Sequence, residues 1–184
     1  MDCRECELLA ENERVDIVPN FSEPTLHLVT GDLGPFEAGV ARGVPVWVAV
    51  LLKQCRKCRI VAPSWLTQAN VQRYINNENE NAAFTEVPEH FMPLAHVLLR
   101  HAADDVVDAD RLIVLLQDLC DARQAKFRTS MKQFLESGMC HAEVPNLTPM
   151  ELAVVRPLLI AASGQVRRMK AVAGVDGDPT ALRQ

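Results

Sequence analysis

Two short segments, Leu112–Leu116 (LIVLL) and Leu158–Ala162 (LLIAA), are apolar at five consecutive positions, and both sit where flanking signals predict helix. At about 100° per residue, five successive positions cover the whole circumference of a helix. Such a helix must be covered on every side, by its own bundle or by partner subunits. Asp108 and Asp110 open the first helix, and Leu112, Leu116, Leu119, Phe127, Met131 and Phe134 form its apolar stripe. Gly138 stands just past its end. Acids at a helix start and glycine beyond its finish suit the dipole and the left-handed cap. The second helix begins at Thr148-Pro149-Met150-Glu151, a capping box with proline at the first helical position. Pro157 is expected to kink that helix or restart it as another.

The chain before Pro63 reads differently. Short β-like runs, VDIV at 15–18 and LHLV at 26–29, are separated by turn residues, including Gly31 and Gly34, which suit positive φ. Residues 45–53 (PVWVAVLLK) predict a short helix, and Arg59-Ile60-Val61 a closing strand. Beyond Pro63, Ser64 or Thr67 caps a helix to about Asn77, and the polar stretch Asn76–Asn81 predicts a loop. Pro88 and Pro93 precede a helix through about His101. The first residues read as a frayed terminus. The expected fold is α+β, mainly α: a small β-containing N-terminal domain over 1–62 with one short helix, an α-helical bundle over 63–170, and a disordered tail over 171–184.

The 184 residues are enough to bury about 70% of the chain's surface without staples. No apolar run approaches the roughly 20 residues that span a bilayer, and no secretory signal is visible at the start. Net charge is −5, which disfavours a general nucleic-acid binder. Residues 1–37 carry nine acids and two bases, −7, so the remainder is +2. The basic run Lys53, Arg56, Lys57 and Arg59 suits docking of an acidic partner surface. Cys3-x-x-Cys6 and Cys55-x-x-Cys58 supply four thiols. They define the alternative reading, a zinc-dependent nucleic-acid-binding module, although the gap between the pairs far exceeds ribbon spacing. The five histidines lack metal spacing, and residues 31–36 (GDLGPF) lack a phosphate-binding pattern. No catalytic constellation and no cofactor motif emerges, so the chain is expected not to be an enzyme.

An ordered set of segments then carries a resemblance. Residues 17–22 (IVPNFS) and 31–36 are followed by Val44-Pro45-Val46-Trp47, Leu52-Lys53-Gln54, Lys57-Cys58-Arg59, Pro63-Ser64-Trp65 and Phe84-Thr85. Later come His101-Ala102-Ala103-Asp104, Ala122–Lys126 (ARQAK) and Asn146–Glu151 (NLTPME). Together, from about Ala10 to Lys170, they resemble the GINS family of replication-complex subunits. Cys3, Cys6, Cys55 and Pro157 depart from the family pattern. The resemblance implies a non-catalytic scaffold in a nuclear heterotetramer with three other GINS subunits. It also implies association with the MCM helicase and its Cdc-type cofactor, with DNA met only indirectly and no membrane contact. On this reading Leu112, Leu115, Leu116, Leu119, Phe127, Leu158 and Leu159 form core or subunit interface.

Overall fold

The computed structural model describes residues 3–29, 31–137 and 145–172. The mainly helical α+β architecture is the expected one. Helix α1 (Cys3–Glu11) precedes strands β1 (Arg14–Pro19), β2 (Leu26–Leu28), β3 (Gly31–Leu33) and β4 (Arg42–Pro45). Helix α2 (Val46–Gln54) and strand β5 (Cys58–Ile60) follow. Then come α3 (Gln68–Glu80), α4 (Phe91–His101), a 3-10 turn (Ala103–Asp105), α5 (Ala109–Ser137) and α6 (Pro149–Val172). Gly138 and the tail from 173 lie outside the described residues.

Strand β1 is the centre of an antiparallel sheet of order β4-β1-β5. Its period-two pattern turns Val15, Ile17 and Pro19 inward. A separate hairpin pairs β2 with β3, with Leu26 opposite Leu33. Gly31 and Gly34 take φ of +127° and +106°, as a glycine turn requires.

Three expectations are corrected. The supposedly frayed start is helix α1, which buries Cys6 and Ala10 and packs on α2, α4 and α6. Those two residues are one turn apart on one face, so tertiary packing holds a helix too short to be stable alone. The loop expected at Asn76–Asn81 is the last turn of α3. Val71, Ile75 and Glu78 are buried at helical spacing, so the inward stripe continues through a charged residue. Pro157 lies inside one helix rather than restarting a second. It is exposed, so the hydrogen bond it removes is lost on a solvent-facing side.

One apolar core runs through both halves of the chain. It joins Val15, Ile17 and Val44 of the sheet to Ala49 of α2, Val71 of α3, Leu98 of α4, and Leu112 and Leu119 of α5. A polar clasp reinforces the same junction. Asp105, behind α4, accepts from Lys53 Nζ at 2.7 Å and from the Ile60 backbone N–H at 2.8 Å. Asp104 accepts from the same ammonium at 2.9 Å. The Lys53 side chain is only 14% exposed. Burial alone would lower its pKa, but hydrogen bonds and charge from Asp105 and Asp104 outweigh that and raise it.

A second buried network centres on Arg123 of α5. Its guanidinium donates to Glu151 through Nε (2.6 Å) and Nη2 (2.9 Å), and through Nη1 to Glu78 (3.1 Å) and to the Thr85 carbonyl (3.0 Å). Nη2 also reaches the Asn146 carbonyl at 2.8 Å. Lys126 Nζ stands 2.8 Å from the other Glu78 oxygen, and Phe84 lies against both cations. Five segments thus meet at one side chain: α3, the 81–88 connection, α5, the turn before α6, and α6 itself.

Asp105→Ala should cost about 2–3 kcal/mol, because the largely buried ammonium keeps only the exposed Asp104 as a charged partner and the Ile60 N–H loses its acceptor. Denaturant titration of wild type and variant measures it. The raised Lys53 pKa makes its contribution fully present below the ordinary lysine value and lost as pH climbs through the folded one.

Arg123→Ala should cost about 3–5 kcal/mol, because it breaks the buried pairs with Glu78 and Glu151 and leaves the Thr85 and Asn146 carbonyls without their donor, while Lys126 and the Thr85 N–H still hold Glu78. The Glu78 pKa is lowered overall: burial pushes it up, but Lys126, the Thr85 N–H and Arg123 outweigh that. Its stabilisation is therefore present at neutral pH and is lost as pH falls below the ordinary carboxylate range, near about pH 4. Glu78→Gln should flatten the acid limb of the stability–pH curve, which thermal melts across that range would read.

Candidate interaction surface

The capping box is formed and does more than start a helix. Glu151 Oε2 accepts from the Thr148 N–H and hydroxyl, both at 2.9 Å, while Thr148 Oγ1 accepts from the Glu151 N–H at 3.4 Å. The same carboxylate holds Arg123. Asn146, at φ +63°, donates its amide to the Phe84 carbonyl at 3.0 Å. The N-terminus of α6 is therefore fixed in position, and its direction of exit follows. Along α6, Val155 is buried, whereas Leu152 is 47%, Val154 54% and Ile160 63% exposed.

The apolar run of α5 divides between inside and outside. Leu112, Leu116 and Leu119 lie in the core and Leu115 packs against it, half-buried. Ile113 and Val114 are 49% and 59% exposed. Phe127 and Leu159 are half-buried, and the side chain of Leu158 lies outside the described residues. Apolar surface on α5 and α6 is thus left uncovered by the chain itself, the arrangement expected of an interface helix.

The basic run has three separate environments. Lys53 is engaged in the clasp. Arg59 is 74% exposed, with Nε 3.8 Å from Asp105. Arg56 and Lys57 form the turn out of α2. There the Arg56 N–H donates to the Lys53 carbonyl at 2.8 Å and the Lys57 N–H to the Leu52 carbonyl at 2.9 Å. That pair of bonds is a Schellman cap, whose left-handed position normally belongs to glycine. Arg56 occupies it at φ +56°. Lys57 Nζ lies 5.6 Å above the Phe21 ring.

The four cysteines of the zinc alternative fall in unlike places. Cys6 is buried in α1, Cys55 is exposed at the end of α2, and Cys58 Sγ is 3.7 Å from the Ala49 carbonyl. The Cys3 side chain lies outside the described residues. Among the described residues, no three His, Cys, Asp or Glu side chains form a group able to hold a metal. Burial raises the Cys58 thiol pKa, away from thiolate character. No helix among the described residues is long and apolar enough to cross a membrane.

Sequence reasoning missed the Arg123 centre. Its signal was present in Glu78, which continues the Val71, Ile75 spacing, and in Glu151 of the capping box.

Comparison with known proteins accords with this architecture. Residues 2–61 match the PSF2 N-terminal domain and residues 65–170 the GINS complex protein helical bundle domain. The DNA replication complex GINS protein PSF2 of Homo sapiens is 38% identical over 171 residues, 92% of each chain. That of Xenopus laevis is 41% identical over 156 residues, 84% of each. A probable PSF2 of Brugia malayi is 39% identical over 170 residues, 92% of this chain and 90% of that one. With both halves of the fold matched in order, the chain belongs to the PSF2 family of DNA replication complex GINS proteins.

Proposed function

We propose that this chain is a non-catalytic scaffold subunit that assembles with three sister GINS subunits into a nuclear heterotetramer. The heterotetramer in turn associates with the MCM helicase and its Cdc-type cofactor. The observation that carries this reading is the apolar surface on two long helices, Ile113 and Val114 of α5 with Leu152 and Val154 of α6. The Arg123 network anchors α6 at its N-terminus and α5 at its midpoint, so the surface is held rigidly for a partner. Leu115, Phe127, Leu158 and Leu159 extend the proposed interface. Helicase motion and ATP chemistry then belong to other subunits, and DNA is met through them.

Expressed alone, the chain should self-associate or aggregate, and with its three sisters it should elute as one equimolar complex. The double variant Ile113→Asp, Val114→Asp removes interface without touching the core. It should weaken assembly at least about tenfold while the far-UV circular dichroism of the chain stays unchanged. Leu116→Asp, by contrast, should unfold the chain, because a carboxylate buried without a partner costs several kcal/mol. A wild-type chain that is monodisperse, monomeric and cooperatively folded at micromolar concentration would overturn the obligate-subunit reading.

Arg56, Lys57 and Arg59, without Lys53, which the clasp with Asp104 and Asp105 engages, are proposed to dock an acidic partner surface. Support comes from Arg56, which keeps a charged side chain where glycine fits better. Arg56→Gly should stabilise the isolated fold by about 1 kcal/mol by relieving the left-handed backbone. Combined with Lys57→Glu it should nonetheless weaken binding to the helicase assembly. Pull-down with purified components at two salt concentrations checks both the loss and its electrostatic origin.

A further inference from the structure

A groove of about 630 Å³ lies among α1, α2, α4 and the first turn of α6. Its apolar lining comes chiefly from Trp47, Val50 and Leu51 of α2 and Val97 of α4. Met92 and Met150 add flexible thioether side chains that fill irregular contacts. Trp47 is 36% and Leu51 57% exposed. Trp47, Val50, Leu51 and Gln54 recur at i, i+3, i+4, i+7, so α2 presents a continuous ridge to the groove, the shape against which another helix packs.

Charge defines what that helix should carry. Glu7 and Glu11 line the groove from α1, four residues apart on one face, where like charges repel each other. Arg100, with His96 and His101, lines it from α4. Among the described residues neither glutamate nor Arg100 forms an ion pair. The groove thus offers an apolar lining, unmatched acids from one helix and an unmatched base from another.

We infer that this groove is the docking site for one amphipathic helix of a partner protein. The helix has bulky apolar residues at i, i+3 or i+4, and i+7, basic side chains toward Glu7 and Glu11, and an acidic side chain toward Arg100. A nucleic acid is poorly suited to an apolar lining that carries two acids. The groove is lined chiefly from α1, α2 and α4 rather than by the exposed faces of α5 and α6, so this inference and the assembly reading can each fail without the other.

The test uses the full chain, alone or in its co-expressed assembly, whichever is soluble. The probe is a fluorescein-labelled 21-residue helical peptide with a leucine stripe, lysines on one flank and glutamates on the other. Its control has the glutamates of that flank replaced by lysines, so that both flanks are basic. Anisotropy titration should show the probe binding at least about tenfold more tightly than the control. Leu51→Asp should abolish binding of both peptides. Arg100→Glu should reverse the preference, while far-UV circular dichroism stays unchanged. If the probe does not bind, photo-cross-linking from Leu51→benzoylphenylalanine in the assembly decides. A cross-link to a sister-subunit helix of the stated pattern means that the groove is already filled, and supports the inference. A cross-link to a second copy of this chain, or none, overturns it. So does equal binding of probe and control.

Discussion

The bidentate bond between Arg123 and Glu151 fixes how the second half of this chain is arranged. Glu151 already closes the capping box with Thr148, so one carboxylate both starts α6 and ties it to α5. The guanidinium spends its remaining donors on Glu78, Thr85 and Asn146, which holds α3 and two connections to the same point. A buried arginine is tolerable only when its donors are matched in this way. The dry alternative, a leucine or methionine, would pack the space but would not dictate an angle. Here the geometry of the fork determines where a 24-residue helix leaves the body of the protein.

Much of the fold was legible in the residues. The Thr148–Glu151 box, Thr67 as a cap, the alternation Val15, Ile17 and the turn glycines each express a local rule, and each appears where the rule puts it. What escaped depended on distant partners. Residues 3–11 have no strong local signal, and their helix exists because Cys6 and Ala10 meet α2, α4 and α6. The stretch from Asn76 is rich in turn-forming residues, yet Glu78 finds Arg123 some 45 positions away and keeps the helix going. Pro157 lowers helix propensity locally, but an anchored N-terminus and a solvent-facing ring leave α6 whole.

The candidate surface was legible only in outline. Five consecutive apolar residues announced that Leu112–Leu116 would need cover all round, but not which residues the chain would cover itself. The core takes Leu112 and Leu116 and leaves Ile113 and Val114 outside. The basic run read as one cluster, yet Lys53 belongs to an internal clasp and Arg56 to a strained turn. Linear proximity grouped charges that three-dimensional structure separates. The groove beside α2 gave a signal that went unused: Val46–Leu52 is apolar at seven successive positions, more than one side of a two-turn helix can bury.

The packing of α1 on α6 has a consequence for biosynthesis. Ala10 leaves the ribosome some 140 residues before the start of its neighbouring helix. At cellular elongation rates that is about 7–28 s. Throughout that interval α1 lacks one of its three packing surfaces. The contact between α1 and α6 therefore forms late, once α6 has emerged and packs back on α1. Until then, one side of α1 stays open to solvent.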